Sequence, residues 1–239
     1  MFFVAISPMA RYDDHMRTDK PETGNSLTPE RILDAARDQV RRFGEAKTNV
    51  VDIARALGTS HATIYRYFPS KAEVFSAIVA AAMRDEEELA RTFVDAAGPA
   101  SDRLTGMVLA LHRRKLERFG NDPELYELYR RVTDDRPDLV RNYADAMTRL
   151  LAAILRDGVQ RGEYRIEDVD AASEVVRDAV TVYVYPALVE AAAKAGISME
   201  PAIQRMMAVL DVAFRSGVSL LNGDPPPDKA PLRPSPKRD

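Results

Sequence analysis

The stretch Thr48–Lys71, TNVVDIARALGTSHATIYRYFPSK, sets two short helical patterns on either side of Gly58. Asn49 is placed to cap the first, its side-chain oxygen accepting from a free backbone N–H, and Asp52 adds an acid to the first turn. Ile53, Ala54 and Leu57 recur at three- to four-residue spacing and form one buried stripe. Gly58 stands where the helix must end in a left-handed turn, which costs glycine little. Ser60 then caps a second helix almost at once. The pattern predicts a helix-turn-helix, whose second helix can enter the DNA major groove.

On that second helix Ile64 and Phe68 are four apart and share an inner face, leaving His61, Thr63, Tyr65, Arg66 and Tyr67 for the exposed arc. A purely structural helix has no use for so many exposed aromatic, hydroxyl and basic groups, whereas a helix on DNA does, because hydroxyls and cations bond phosphate oxygens. Ser70 and Glu73 form a capping box that opens the next helix. Lys71 falls in its first turn, where a cation is mildly unfavourable unless a phosphate offsets it. Taken singly, Tyr65 and Tyr67 read equally well as half-buried packing and Lys71 as ordinary surface. The constellation as a whole argues for nucleic acid.

These residues resemble the TetR-type one-component transcriptional regulators. The match runs from Ile32-Leu33-Asp34-Ala35-Ala36 through Gly44, Val51-Asp52-Ile53-Ala54, Leu57-Gly58, Ser60, Thr63-Ile64-Tyr65-Arg66-Tyr67-Phe68 and Ser70-Lys71. The resemblance implies phosphate contacts from Thr48, Ser60, Tyr65, Tyr67 and Lys71, and base edges facing His61, Ala62 and Thr63. Arg66 joins this expected DNA-binding set from the exposed arc. Val51 stands where some members carry a base-contacting polar residue, so no base contact is assigned to the preceding helix. The fold implied is all-α: a three-helix DNA-binding domain at residues 27–72, then a helical ligand-binding and dimerisation domain at 73–222.

The chain has 239 residues and a net charge of −3, so it is not a general nucleic-acid binder. Residues 28–72 nevertheless hold eight Lys/Arg against five Asp/Glu, a net of +3 that leaves −6 for the rest. A basic head on an acidic body fits that asymmetry. With no cysteine, disulfides, thiolate chemistry and cysteine-bound zinc are excluded. No apolar run reaches the roughly 18–20 residues of a membrane span, and the N-terminal MFFVAI is too short for a secretory signal. The expected setting is the cytoplasm, with no membrane partner. Residues 1–26 read as a disordered extension, whose true start could be Met9 or Met16. The proline-rich 223–239 reads as a disordered tail.

Thr28 and Pro29 open the first helix, which Gly44 ends. After the capping box a long helix runs toward Gly98-Pro99. Further starts fall at Ser101, Asp122-Pro123, Pro137 and Asp168. Pro186 is expected to kink the helix begun at Asp168, and a last helix runs from about Met199 to Leu221.

Catalytic and metal motifs are missing: there is no HExxH, G-x-G-x-x-G, P-loop or G-x-S-x-G, and no histidine has a glutamate three residues before it. No cofactor or metal is therefore expected, and no enzyme activity. The acidic run Glu86-Glu87-Glu88 reads as a solvated face. His112, beside Arg113 and Arg114, has two readings, an anion contact or a buried hydrogen-bonded histidine, and the second is favoured. The family resemblance implies a small-molecule pocket in the body, for which Met83, Met107, His112, Tyr126, Tyr129, Tyr143, Met147 and Tyr183 are candidates. An effector-binding body should hold a cavity of roughly 300 Å³ or more. A homodimer is expected through the Asp168 helix and the last helix, with Val176, Val180, Ile203, Met207, Leu210 and Phe214 in the seam. Three functions then compete: a homodimeric repressor released from operator DNA by a small molecule, a constitutive DNA binder, and an all-helical enzyme for which no acid–base or metal constellation is present.

Overall fold

The computed structural model describes residues 27–217, and the expected extension and tail lie outside them. Among the described residues ten helices follow one another: α1 (Pro29–Phe43), α2 (Val50–Ala56), α3 (His61–Tyr67), α4 (Lys71–Val94), α5 (Ala100–Asn121), α6 (Pro123–Asp135), α7 (Pro137–Gln160), α8 (Val169–Val184), α9 (Pro186–Lys194) and α10 (Glu200–Ser216). There are no strands among the described residues. The all-α fold read from the sequence is the fold observed.

Side-chain caps set most of the starts near the head. Thr28, Ser60 and Ser70 accept from the backbone N–H of Arg31, Thr63 and Glu73. Asn49 is the exception: it occupies the N-cap position of α2 with extended backbone but makes no side-chain cap bond. Gly58 turns the chain at φ 65°. The N–H groups of Gly58 and Thr59 bond the carbonyls of Arg55 and Ala54, the paired pattern that closes a helix end over a left-handed residue.

Pro186 does more than kink. Tyr185 leaves the helix with ψ 125°, as a residue before proline is driven to do, and α8 and α9 are separate helices. Tyr126 donates its hydroxyl proton to the Pro186 carbonyl, filling an acceptor at the break. One expected helix is therefore two.

Two hydrophobic clusters hold the molecule. The first gathers Ile32, Val40, Ile53, Ile64, Val74 and Phe75 of the head with Leu128, Tyr129 and Val132 of α6. The second joins α5, α7, α8 and α10 through Leu104, Met107, Ile154, Leu155, Val176 and Ile203. Fully burying one such aliphatic side chain contributes about 1.5–3 kcal/mol.

The expected dimer seam is corrected here. Val176, Val180, Ile203, Met207, Leu210 and Phe214 are all buried inside one subunit, at 0–9% exposure, so they have no surface to offer a second copy. The apolar residues that α8 and α10 turn outward are Val175, Val182, Val209 and Val212.

Candidate nucleic-acid interface and ligand cavity

Ile64, fully buried, and Phe68, half-buried against the same cluster, pin α3 to the head. Its remaining surface carries His61, Ala62, Tyr65, Arg66 and Tyr67 exposed and Thr63 half-exposed. The rings of His61 and Tyr65 meet edge to face, with centroids 6.2 Å apart. Ser60 Oγ lies 2.8 Å from Thr63 Oγ1. Tyr67 donates its one hydroxyl proton to the Leu27 carbonyl at 2.9 Å, so the donor expected on a phosphate is engaged within the protein.

Two basic groups there differ in their freedom. Arg66 is exposed and makes no ion pair among the described residues. Lys71 donates to the Glu45 carbonyl at 3.1 Å and lies 5.2 Å from the centre of the Phe75 ring. Its place in the first turn of α4 is thus offset from within the protein, and two of its three N–H groups remain for another acceptor. Thr48 is a correction to the expected set. It is 1% exposed and its hydroxyl donates to the Gly44 carbonyl at 2.8 Å, so the group expected on a phosphate is engaged internally.

In the body a cavity of about 230 Å³ lies among α4, α5, α6, α7 and α8. This is below the roughly 300 Å³ set from the sequence, a shortfall that on that criterion favours the constitutive DNA binder. Met83, Met107, Tyr129, Tyr143 and Met147 line it as expected, and so does Val180, which was assigned to the seam. Three candidates do not. His112 is buried with Nδ1 2.8 Å from the Tyr183 carbonyl. Tyr126 is buried against Pro186, and Tyr183 packs half-buried against the body core.

Sequence reasoning missed the polar group at one end of this cavity. Glu86 is fully buried, not solvated. Its carboxylate accepts from Lys115 Nζ at 2.7 Å, from the Tyr143 hydroxyl at 2.7 Å and from Arg118. Lys115 also donates to the Tyr129 hydroxyl at 3.3 Å and lies 5.0 and 5.5 Å from the Tyr129 and Tyr143 ring centres. Burial alone would raise the Glu86 pKa, but Lys115 and Arg118 outweigh it and hold the group below the ordinary carboxylate value. Burial likewise opposes the charge on Lys115, and Glu86 more than restores it. A signal existed: Val79, Met83, Glu86 and Ala90 keep core spacing along α4, as Leu104, Val108, Leu111 and Lys115 do along α5.

The cavity is not isolated from the head. Met83 and Tyr129 belong both to its wall and to the cluster that carries Ile64. Besides the covalent link through α4, α6 is tied to the head by two ion pairs. Arg41 grips Asp122 at 2.6 Å, and Arg131 pairs with Glu45.

Residues 32–78 match the family model for bacterial regulatory proteins of the tetR family, and residues 100–203 match that for the tetracyclin repressor-like C-terminal domain. The chain belongs to the TetR family. It is a transcriptional regulator with a helix-turn-helix DNA-binding domain and a helical C-terminal domain. Among solved TetR-type structures, a regulator from Mesorhizobium loti aligns with TM-score 0.58 at 19% identity, covering 82% of this chain and 98% of its own. FadR of Bacillus subtilis, solved with stearoyl-CoA, gives 0.53 at 17%, covering 80% and 100%. Thermus thermophilus FadR, a TetR-family repressor solved with lauroyl-CoA, gives 0.52 at 18%, covering 83% and 99%. At such identities the likeness is one of fold. No curated protein matches the sequence significantly. None of the described helices is long and apolar enough to cross a membrane.

Proposed function

We propose that this TetR-family member is a homodimeric repressor that grips operator DNA with α3 of each subunit and lets go when a small molecule fills the body cavity. One observation carries this reading: Met83 and Tyr129 are at once cavity wall and head-cluster residues. A ligand that displaces either side chain works directly on the packing that orients α3. Two α3 helices on one duplex must sit about 34–36 Å apart or a multiple of that, so a small tilt of the heads changes affinity. A DNA-reading head at 27–72 and an effector body at 73–222 are part of this proposal. The two FadR proteins of this fold are solved with acyl-CoA molecules, which supports a ligand site in the body.

The dimer face in this proposal is the outer side of α8 and α10, where Val209 and Val212 are 65% and 62% exposed. Sedimentation should give a dimer at micromolar concentration that Val209→Glu with Val212→Glu dissociates into folded monomers. Operator DNA selected from a random pool then tests the main claim. A ligand should weaken DNA binding by a factor worth about 1–3 kcal/mol, and DNA should weaken the ligand by the same factor. A cavity ligand whose affinity is identical with and without operator rules out this mechanism.

A further inference from the structure

Lys115 Nζ carries three N–H donors and has two acceptors, Glu86 Oε2 and the Tyr129 hydroxyl oxygen. Tyr129 accepts from Lys115, and its own O–H has no acceptor among the described residues. Both side chains are more than nine-tenths buried and both line the cavity. A buried donor left without an acceptor is costly. The Glu86 carboxylate pairs there with Lys115, and on its other side with Arg118, whose partly exposed side chain lies outside the cavity wall. The other polar side chains of the wall are engaged. Thr133 and Thr181 donate to the carbonyls of Arg130 and Arg177, and Tyr143 to Glu86. Arg177 pairs with Asp178 and its side chain is 31% exposed, so water can reach the rest of it. The far wall is Val108, Leu111, Val140 and Leu151.

From this arrangement we infer that the effector is an amphipathic monocarboxylate, its carboxylate accepting from Lys115 Nζ and the Tyr129 O–H and its hydrocarbon body lying against the apolar wall. The ligand's negative charge lies against the Lys115 ammonium, and its two oxygens fill the two open donors. This deepens the reading of the cavity as the effector site and rests on it. A neutral alcohol or ester of the same shape fills the wall and brings no anion to Lys115. A carboxyl group already esterified to coenzyme A lacks the anion.

The test is calorimetric titration of the full chain with two acid–alcohol pairs, octanoate with octan-1-ol and 4-phenylbutyrate with 4-phenylbutan-1-ol, and with octanoyl-CoA. At least one acid should bind about thirty-fold or more tightly than its alcohol. Lys115→Met should abolish that difference while the alcohol still binds. Tyr129→Phe, which keeps the ring and the fold, should weaken the acid about five-fold and leave the alcohol unchanged. Equal binding of acid and alcohol, binding of octanoyl-CoA alone, binding of none of the probes, or an acid preference unmoved by Tyr129→Phe each overturns the inference. An acid that binds as expected but leaves operator DNA bound sustains the carboxylate site and defeats the proposed release mechanism instead.

Discussion

On α3, Tyr65 and Tyr67 are 44% and 43% exposed beside an exposed arginine. In the body, Tyr129 is 6% exposed and Lys115 3%, against a carboxylate at 0%. The same residue types thus serve opposite ends. On the exposed arc of α3, Tyr65 and Arg66 stay in water, where an external phosphate can replace solvent at little cost. The body takes such groups out of water, where each must find a partner within the protein or in a ligand. Removing a group should therefore damage binding in the first region and folding in the second.

The largest effect is expected from Glu86→Ala. It strands Lys115 in the interior, and losing one partner of a buried pair costs about 3–5 kcal/mol. Urea unfolding measures it, and a loss under 1 kcal/mol would show that water reaches the cluster. Titration sharpens the same point. Glu86 is held below its ordinary 4.5, so its contribution is present above that value and lost as pH falls through the lowered one. Lys115 is held above 10.5, so its contribution is present below that value and lost as pH climbs beyond. Buried Tyr129 and Tyr143, also raised, weaken the fold on the same alkaline side. The urea midpoint should be flat between these limits, and Glu86→Ala should remove part of the acid limb. An acid limb identical in the variant would be evidence against this assignment.

Smaller effects belong to the head. His61→Ala should change which bases are preferred, with roughly 1–3 kcal/mol at stake for a lost base contact. Identical selected sequences for both proteins would take His61 out of the reading set. Arg66→Ala should leave stability within about 0.5 kcal/mol, since the side chain is exposed and has no ion pair among the described residues. It should weaken all DNA sequences alike and flatten the salt slope by about one. Lys71→Ala should give the same binding signature with a small stability loss added, because the Glu45 carbonyl loses its donor. An unchanged salt slope in both variants would break the contrast between the two regions.

The head was legible because its evidence is local: a cap, a glycine turn and an exposed arc lie within two dozen consecutive residues. The polar cluster was not, because Glu86 meets Lys115 and Tyr143 across sequence separations of 29 and 57. Charge alone gave Glu86 away as surface, and only its spacing with Met83 and Ala90 argued otherwise. The seam failed for a different reason. On α10, Ile203, Met207, Leu210 and Phe214 form one apolar stripe while Val209 and Val212 point away from it, and a hydrophobicity pattern does not say which stripe meets the subunit's own core. Thr48 failed for a third reason, since nothing in the sequence revealed that the Gly44 carbonyl would take its hydroxyl proton.

The two straps between α6 and the head are partly exposed, with Arg41 and Asp122 side chains at 48% and 28% and Arg131 and Glu45 at 47% and 19%. Pairs of this kind are screened at physiological ionic strength, where the Debye length is about 8 Å. Electrolyte therefore acts on this molecule in two places, at the phosphates it touches and at the joint that aims the head. The absolute ionic-strength dependence of operator affinity is then a sum of DNA counterion release and a softening of the free protein. Only the difference between a variant and its parent, with the straps left intact in both, counts phosphates.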